Sequence, residues 1–489
     1  MHKSYIVRLL PGLFAVCSIS CSPKHNDIPF NAILTPAEAH ADYRRMREVL
    51  EQGAPSLYRY HDKSEVARRF DAGDAQIIDS MTPLRLWQIA APVIASLGDA
   101  HMSLMPGNSI NDHIYGPGGR VLPLRVRIID GRLFTIRSYL TDGPQAGAEI
   151  VSIDGLATSQ VLDRCTRTIP VDGAADLRRY RKLEREFDSW CGTVMNLPAE
   201  YTLGYKPSGS DTIRTARIPA ITWDSLRKAR TRLYPADSVT RVEPQFEFRV
   251  GDAAQPAVMM VRSFSKSDGF NPSREFAAAF RKISEAGAKN LIIDIRGNGG
   301  GRDTNAALLY GYMATDSFSY ISSRIANGKR FGFLRKTDDW FLNFMLPFIR
   351  TKSLPDGRVK LNMGIDRAQQ PRDPRFRGRV FVLTDARTFS TASEFATLVK
   401  LNRRGVIVGE ETGNAYGGDS GAVVSYTLEN SGLVINIPLV QYNLPSVREP
   451  GASRAVMPDV AVGPTIEDLL QERDVVMERA LQLSRDGQG

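Results

Sequence analysis

In the N-terminal part of the chain, apolar side chains recur at helical spacing. Tyr43, Met46 and Leu50 follow Thr35-Pro36-Ala37-Glu38, a run whose hydroxyl, proline and acid stand in helix-start order, and a second helix is predicted around Leu84 to Leu97. Residues 35–110 are therefore expected to form a helical cap domain. From about 117 the period falls to two. Leu122–Ile129 and Arg132–Ile136 read as short strands, punctuated by Asp130-Gly131 and Asp154-Gly155 turns, and predict a β module with a helical extension over 117–220. Beyond 240 strand and helix alternate. Val258–Val261 reads as a strand, Pro272–Ala286 as a helix, and Leu291–Ile295 as a continuous apolar run of the kind buried in a parallel sheet. Val380–Leu383 and Val406–Val408 repeat that run around a helix at 391–401. The fold class expected is α/β, with its core over 240–465 and a C-terminal helix over 466–489.

A length of 489 residues exceeds what one hydrophobic core serves, which agrees with several domains. With 42% hydrophobic and 24% charged residues, bulk disorder is excluded. The net charge of +9 falls to about +7 once Lys3 and Arg8 are removed with the N-terminal segment, and the basic residues, as in Leu177–Glu186, are interrupted by Glu. No dense basic and aromatic run exists, so no nucleic-acid partner is expected. Lys3 and Arg8 precede an apolar stretch, Leu9–Ile19, too short to span a bilayer, and residues 1–20 read as an export signal. Ser18-Ile19-Ser20-Cys21 resembles a lipoprotein cleavage box, which makes Cys21 the lipidation site, 21–34 the linker after the anchor, and the protein a periplasmic or outer-membrane lipoprotein. A plain signal peptide is the alternative. Cys165 and Cys191 either pair or are buried thiols, and the spacing leaves both open. Without a CxxC pair or an HExxH helix, no metal or other cofactor is expected.

Two segments carry chemistry. In Val380-Phe-Val-Leu-Thr-Asp-Ala-Arg-Thr-Phe-Ser390-Thr-Ala-Ser-Glu-Phe395 a buried strand runs through a polar turn to Ser390, at the start of a helix, where unpaired amides and the dipole favour developing negative charge. A serine at such a start also reads as a helix cap. In Leu291-Ile-Ile-Asp294-Ile-Arg296-Gly-Asn298-Gly-Gly-Gly301 three adjacent glycines after a buried strand let backbone amides approach a ligand, and no Lys-Ser/Thr follows to make a phosphate loop. Together, in this order and about ninety residues apart, the two segments resemble the carboxy-terminal processing, or tail-specific, serine protease family. The resemblance spans about 35 to 465. It implies a ClpP/crotonase-like α/β protease core, an N-terminal helical cap and a PDZ-like module that takes up a peptide or unfolded protein by strand addition. It also implies Ser390 as nucleophile, with oxyanion amides from Gly299/Gly300 and from Thr391.

The best-known branch of that family activates its serine with a lysine at a position that is Ala415 here, so a Ser/Lys dyad is not expected. Of six histidines, His101 stands out, because Leu97-Gly-Asp99-Ala-His101-Met-Ser-Leu104 resembles the Asp-Gly-His-Thr segment of the tricorn-like and retinoid-binding-protein-like branch. An imidazole takes and returns a proton near neutral pH, which suits a general base. Two departures stand. Ala100 replaces the branch's hydroxyl residue, leaving that role vacant or passing it to Ser103, and the acidic member falls to Glu449, farther ahead of Pro458-Asp459 than the family spacing suggests. The reading is a serine endopeptidase or carboxy-terminal processing protease working through an acyl-enzyme. Alternatives are a catalytically silent peptide-binding protein on the same fold and an esterase-type acyl hydrolase.

Overall fold

A computed structural model describes residues 28–116, 118–234, 244–267, 269–339, 341–362 and 364–486. Cys21 and the export segment lie outside the described residues. The chain divides into two compact units, each built from three stretches of sequence.

The first unit contains the described residues up to Ile110, with those of 323–363 and Asp419–Tyr442. Its helices are Pro36–Gly53, Lys63–Asp74 and Pro83–Ser96, each started by a side-chain cap, from Thr35, Asp62 and Thr82. Thr35 and Glu38 complete a capping box. The six-stranded sheet of this unit runs Ser103–Met105, Val434–Asn443, Ser323–Ala326, Val359–Leu361, Thr351–Ser353, and Ser420–Thr427 also pairs with Val434–Asn443. Buried Asp42 fastens helix to hairpin by accepting from the Ser431 amide at 2.7 Å and from Asn430 Nδ2 at 2.9 Å. The predicted cap helices thus share one unit with strands drawn from far along the chain.

The second unit comprises Asn111–Ser322, Gly364–Gly418 and the residues from Asn443 onward, and among its described residues it holds two sheets of interest. One runs Phe246–Arg249, Ala257–Val261, Asn290–Asp294, Arg379–Thr384, Val406–Gly409, Val460–Ala461, antiparallel at the first pair and parallel thereafter. Its apolar strands need cover on both faces. On one face Ile292, Phe381, Leu383 and Val408 pack against Val476 and Ala480 of the C-terminal helix Val475–Arg485.

The other sheet is the β module: Leu124–Ile129, Arg132–Ser138, Glu149–Ile153, Glu200–Lys206, Arg214–Pro219, with the two-residue strand Leu156–Ala157 on Glu149–Ile153. Helices Thr158–Thr166 and Leu177–Val194 accompany it. Leu124–Ile129 is an edge strand, and an unpaired edge invites another strand. Here Ile128 donates its amide to Glu184 Oε1 at 2.7 Å and its carbonyl accepts from Arg181 Nη1 at 3.0 Å, so Leu177–Val194 closes the edge at that residue. Cys165 and Cys191 are both free and buried, and burial pushes the Cys165 thiol up to about 12.

Some of the arginines of the second unit are committed to its interior. Arg181, 7% exposed, donates Nε to Glu410 Oε2 at 3.0 Å and Nη1 to Glu184 Oε1 at 2.6 Å, and Arg127 reaches Glu184 and Glu410 at 3.1 and 3.3 Å. A buried pair is strongly destabilising to break from one side, because the remaining ion keeps its desolvation penalty. Glu410→Ala is therefore expected to lower stability by about 3 kcal/mol, read from the urea midpoint of a near-ultraviolet signal. An unchanged midpoint would show that Glu184 alone satisfies both arginines.

Candidate active site

The strands Asn290–Asp294 and Arg379–Thr384 are parallel neighbours in register, Asp294 opposite Leu383, so the loops leaving them emerge side by side. One buried carboxylate joins these loops. Asp385 Oδ1 accepts from the Gly297 amide at 2.9 Å and from the Arg387 and Thr388 amides at 3.0 Å each, while Oδ2 accepts from Arg387 Nε at 2.9 Å. Burial opposes ionisation of Asp385, but Arg387 and the Gly297 amide outweigh it and hold the carboxyl below the usual carboxylate range. Two further bonds run between the loops, from the Phe389 amide to Asn298 O at 2.9 Å and from Thr388 Oγ1 to Ile295 O at 3.1 Å.

Ser390 follows this fastened turn and occupies the N-cap of the helix Thr391–Leu401. It is half-buried, its backbone has φ 54° and ψ −133°, and its side chain makes no capping hydrogen bond. A serine that served only as a cap would be extended, with Oγ on an amide of the first turn. A positive φ at a non-glycine residue costs about 1–3 kcal/mol and persists only where surroundings enforce it. The strain leaves the hydroxyl uncommitted to the helix.

The glycine turn is shaped to meet this serine. Gly300 has φ 101°, and a Cβ placed on it would lie 2.7 Å from Ser390 Cβ and 2.9 Å from Phe389 O. Its amide donates to Asn298 Oδ1 at 2.8 Å, and buried Asn298 passes Nδ2 to Val261 O at 2.9 Å. Gly299 is exposed beside it. Thr391 is the first helical residue, where an amide has no acceptor within its own helix, and its nitrogen lies 3.0 Å from the position of that hypothetical Gly300 Cβ. A turn rich in amides, a helix start and an uncommitted hydroxyl together suit acyl transfer.

Of the residues singled out in the sequence, Ser390, Thr391, Gly299 and Gly300 are brought together in the second unit. Glu449 lies in the same unit on an exposed loop after Pro445–Arg448, where it adds to the effect of burial in raising the Tyr416 phenol, and it does not join the hydrogen-bonded cluster around Ser390. Ala415 is buried. His101 belongs to the first unit, in a tight turn that Asp99 holds: the His101 amide donates to Asp99 Oδ1 at 2.8 Å, and Asp99 Oδ2 accepts from Ser56 Oγ. Ser103 Oγ accepts from Asn436 Nδ2 at 2.9 Å. Among the described residues no group of three His, Cys, Asp or Glu is placed to hold a metal ion. Sequence reasoning missed Asp385 and Asn414. The Asp385-x-x-Thr388 spacing of a side-chain turn was a usable signal for the first, and none existed for the second.

Residues 256–462 match the family model of Peptidase family S41. Among solved structures, mature CPAF is 15% identical, with 92% of this chain and 97% of that one covered at a TM-score of 0.61. Mature CPAF complexed with lactacystin gives 15% identity, 92% and 98% coverage and the same score. The photosystem II D1 C-terminal processing protease is 16% identical, with 88% and 96% covered at a TM-score of 0.41. No curated protein sequence matches the chain.

Two variants test the turn. Gly300→Ala forces a Cβ into Ser390 at a strained φ and is expected to lower activity by about 100-fold while circular dichroism stays native. Asp385→Asn removes a group whose stabilisation is complete above the ordinary carboxylate value of 3.8 and is lost as pH falls through the depressed folded value. Thermal midpoints of the variant should therefore fall less than those of the parent as pH drops below that value, and parallel curves would show that Asp385 titrates alike in both states.

Proposed function

We propose that this serine-type peptidase, whose core matches family S41, hydrolyses peptide bonds through an acyl-enzyme formed on Ser390, with His101 as general base. The observation that carries the reading is the strained, uncapped Ser390 turned against the glycine bend at Gly300. In the first step His101 takes the hydroxyl proton as Ser390 Oγ bonds to the scissile carbonyl carbon, and the oxyanion meets the amides of Gly299 and Thr391. Gly300 supports the bend, since its own amide serves Asn298. The imidazolium then returns the proton to the leaving amine, and water attacks the acyl group by the same route reversed. A histidine base agrees with the apolar residue at position 415, which offers no proton acceptor. We assign Glu449 to orienting or charge-balancing the imidazole.

The substrate is a peptide or an unfolded segment of protein. On the Leu124–Ile129 edge of the β module, strand addition is left to the part ahead of Ile128, because Arg181 and Glu184 occupy that residue's backbone groups. The enzyme acts after export, held at a membrane by acylation of Cys21 or released by plain signal cleavage nearby.

A serine-directed fluorophosphonate should label the parent and leave Ser390→Ala unlabelled, with casein turnover lost in that variant; equal labelling of both would overturn the nucleophile. His101→Ala should lower kcat by about 1,000-fold or more with the fold intact, and near-parent turnover would remove the histidine from the mechanism.

A further inference from the structure

The amide of the nucleophile itself is spoken for. Ser390 N–H donates to Asn414 Oδ1, and Asn414 Nδ2 donates in turn to Asp172 Oδ2. Both side chains are 1% exposed. Asn414 is fixed further through its backbone, whose carbonyl accepts from Thr412 Oγ1 at 3.2 Å, while that same hydroxyl accepts from the Val456 amide at 3.1 Å. Asp172 comes from the connection between helices Thr158–Thr166 and Leu177–Val194 of the β module, which returns a few residues later with Arg178. The Arg178 guanidinium lies 3.5 Å over the ring of Phe389, the residue before the nucleophile, and a Cβ on Gly413 would fall 2.9 Å from its Nη1. One short connection of the β module thus packs against the nucleophile turn through Asn414 and Phe389.

This arrangement has a chemical purpose that helix capping does not explain. At φ 54° the Ser390 amide needs a buried acceptor in a direction that no helix or strand supplies, and the carboxamide of Asn414 is that acceptor. The carboxylate of Asp172 in turn fixes which way the carboxamide faces, because only Nδ2 can donate to it. An alanine at 414 would leave the amide without its partner, and the turn would relax toward an ordinary extended cap.

We infer that Asp172 and Asn414 are a positioning pair, through which the β module holds Ser390 in its reactive backbone conformation and withdraws the serine's own N–H from the oxyanion site. The inference rests on Ser390 as nucleophile. Neither residue touches substrate, so the pair acts on the rate of acylation and leaves substrate binding alone.

The test compares full-length parent, Asn414→Ala and Asp172→Asn, with Ser390→Ala as control, after titrating active sites with the fluorophosphonate. Rates are expressed per titrated site, so a fraction of misfolded enzyme does not count. Asn414→Ala is expected to lower kcat and the labelling rate together by about 100-fold with KM within threefold of the parent. Asp172→Asn, which keeps the shape and removes the charge, should lower both by about tenfold and serves if Asn414→Ala does not fold. Per-site rates within threefold of the parent, with Ser390→Ala silent, would overturn the positioning role alone. Labelling of Ser390→Ala equal to the parent would overturn the nucleophile and this inference with it.

Discussion

A single carboxylate buried between two loops is the constraint on which the site depends. Asp385 accepts amides from both the glycine bend and the segment leading to Ser390, and does so as an ion despite burial because Arg387 and the amides compensate its lost hydration. Neither loop has a regular backbone pattern of its own, so the shared acceptor adds to the Phe389–Asn298 and Thr388–Ile295 bonds in fixing one loop against the other. With it, the position of Gly300 relative to Ser390 becomes a property of the parallel sheet below, since Asp294 and Leu383 are already in register.

The sheet and the two loops were legible because their signals are local. Apolar runs at Leu291–Ile293, Val380–Leu383 and Val406–Val408 fall on parallel strands of one sheet, and the glycine bend and Ser390 follow two of them. What escaped was every contact made by side chains far apart in the chain. Asn414 and Asp172 are 242 residues apart, and nothing in either neighbourhood marks them as partners. The closure of the β-module edge at Ile128 was equally hidden, since alternation reveals a strand but not whether its outer groups meet solvent, peptide or a neighbouring helix. Helical periodicity in residues 35–110 likewise identified a buried face without saying that the covering strands come from 323–363 and 419–442.

The helix Leu177–Val194 shows how one element serves two ends. Arg181 and Glu184 on it satisfy the strand edge at Ile128, and Arg181 anchors to Glu410, while the connection and first turn at its N-terminus bring Asp172 to Asn414 and Arg178 to Phe389 beside the nucleophile. Buried ionic groups are a poor source of net stability, and well-packed apolar residues of similar volume often do as well or better. What they do here is join the helix to the loop after Val406–Gly409, the donors of Arg181 meeting the acceptors of Glu184 and Glu410.

The discontinuity of the first unit bears on biosynthesis. Asp42 meets Asn430 across 388 residues of sequence, so the cap helices emerge from the ribosome long before the hairpin that completes their packing exists. Non-local closure of this kind is slow because loop entropy must be spent before any contact rewards it. A nascent chain already carrying the serine motif still lacks the strand that finishes the unit containing His101, and the order of synthesis itself delays maturation until Val434–Asn443 has been made.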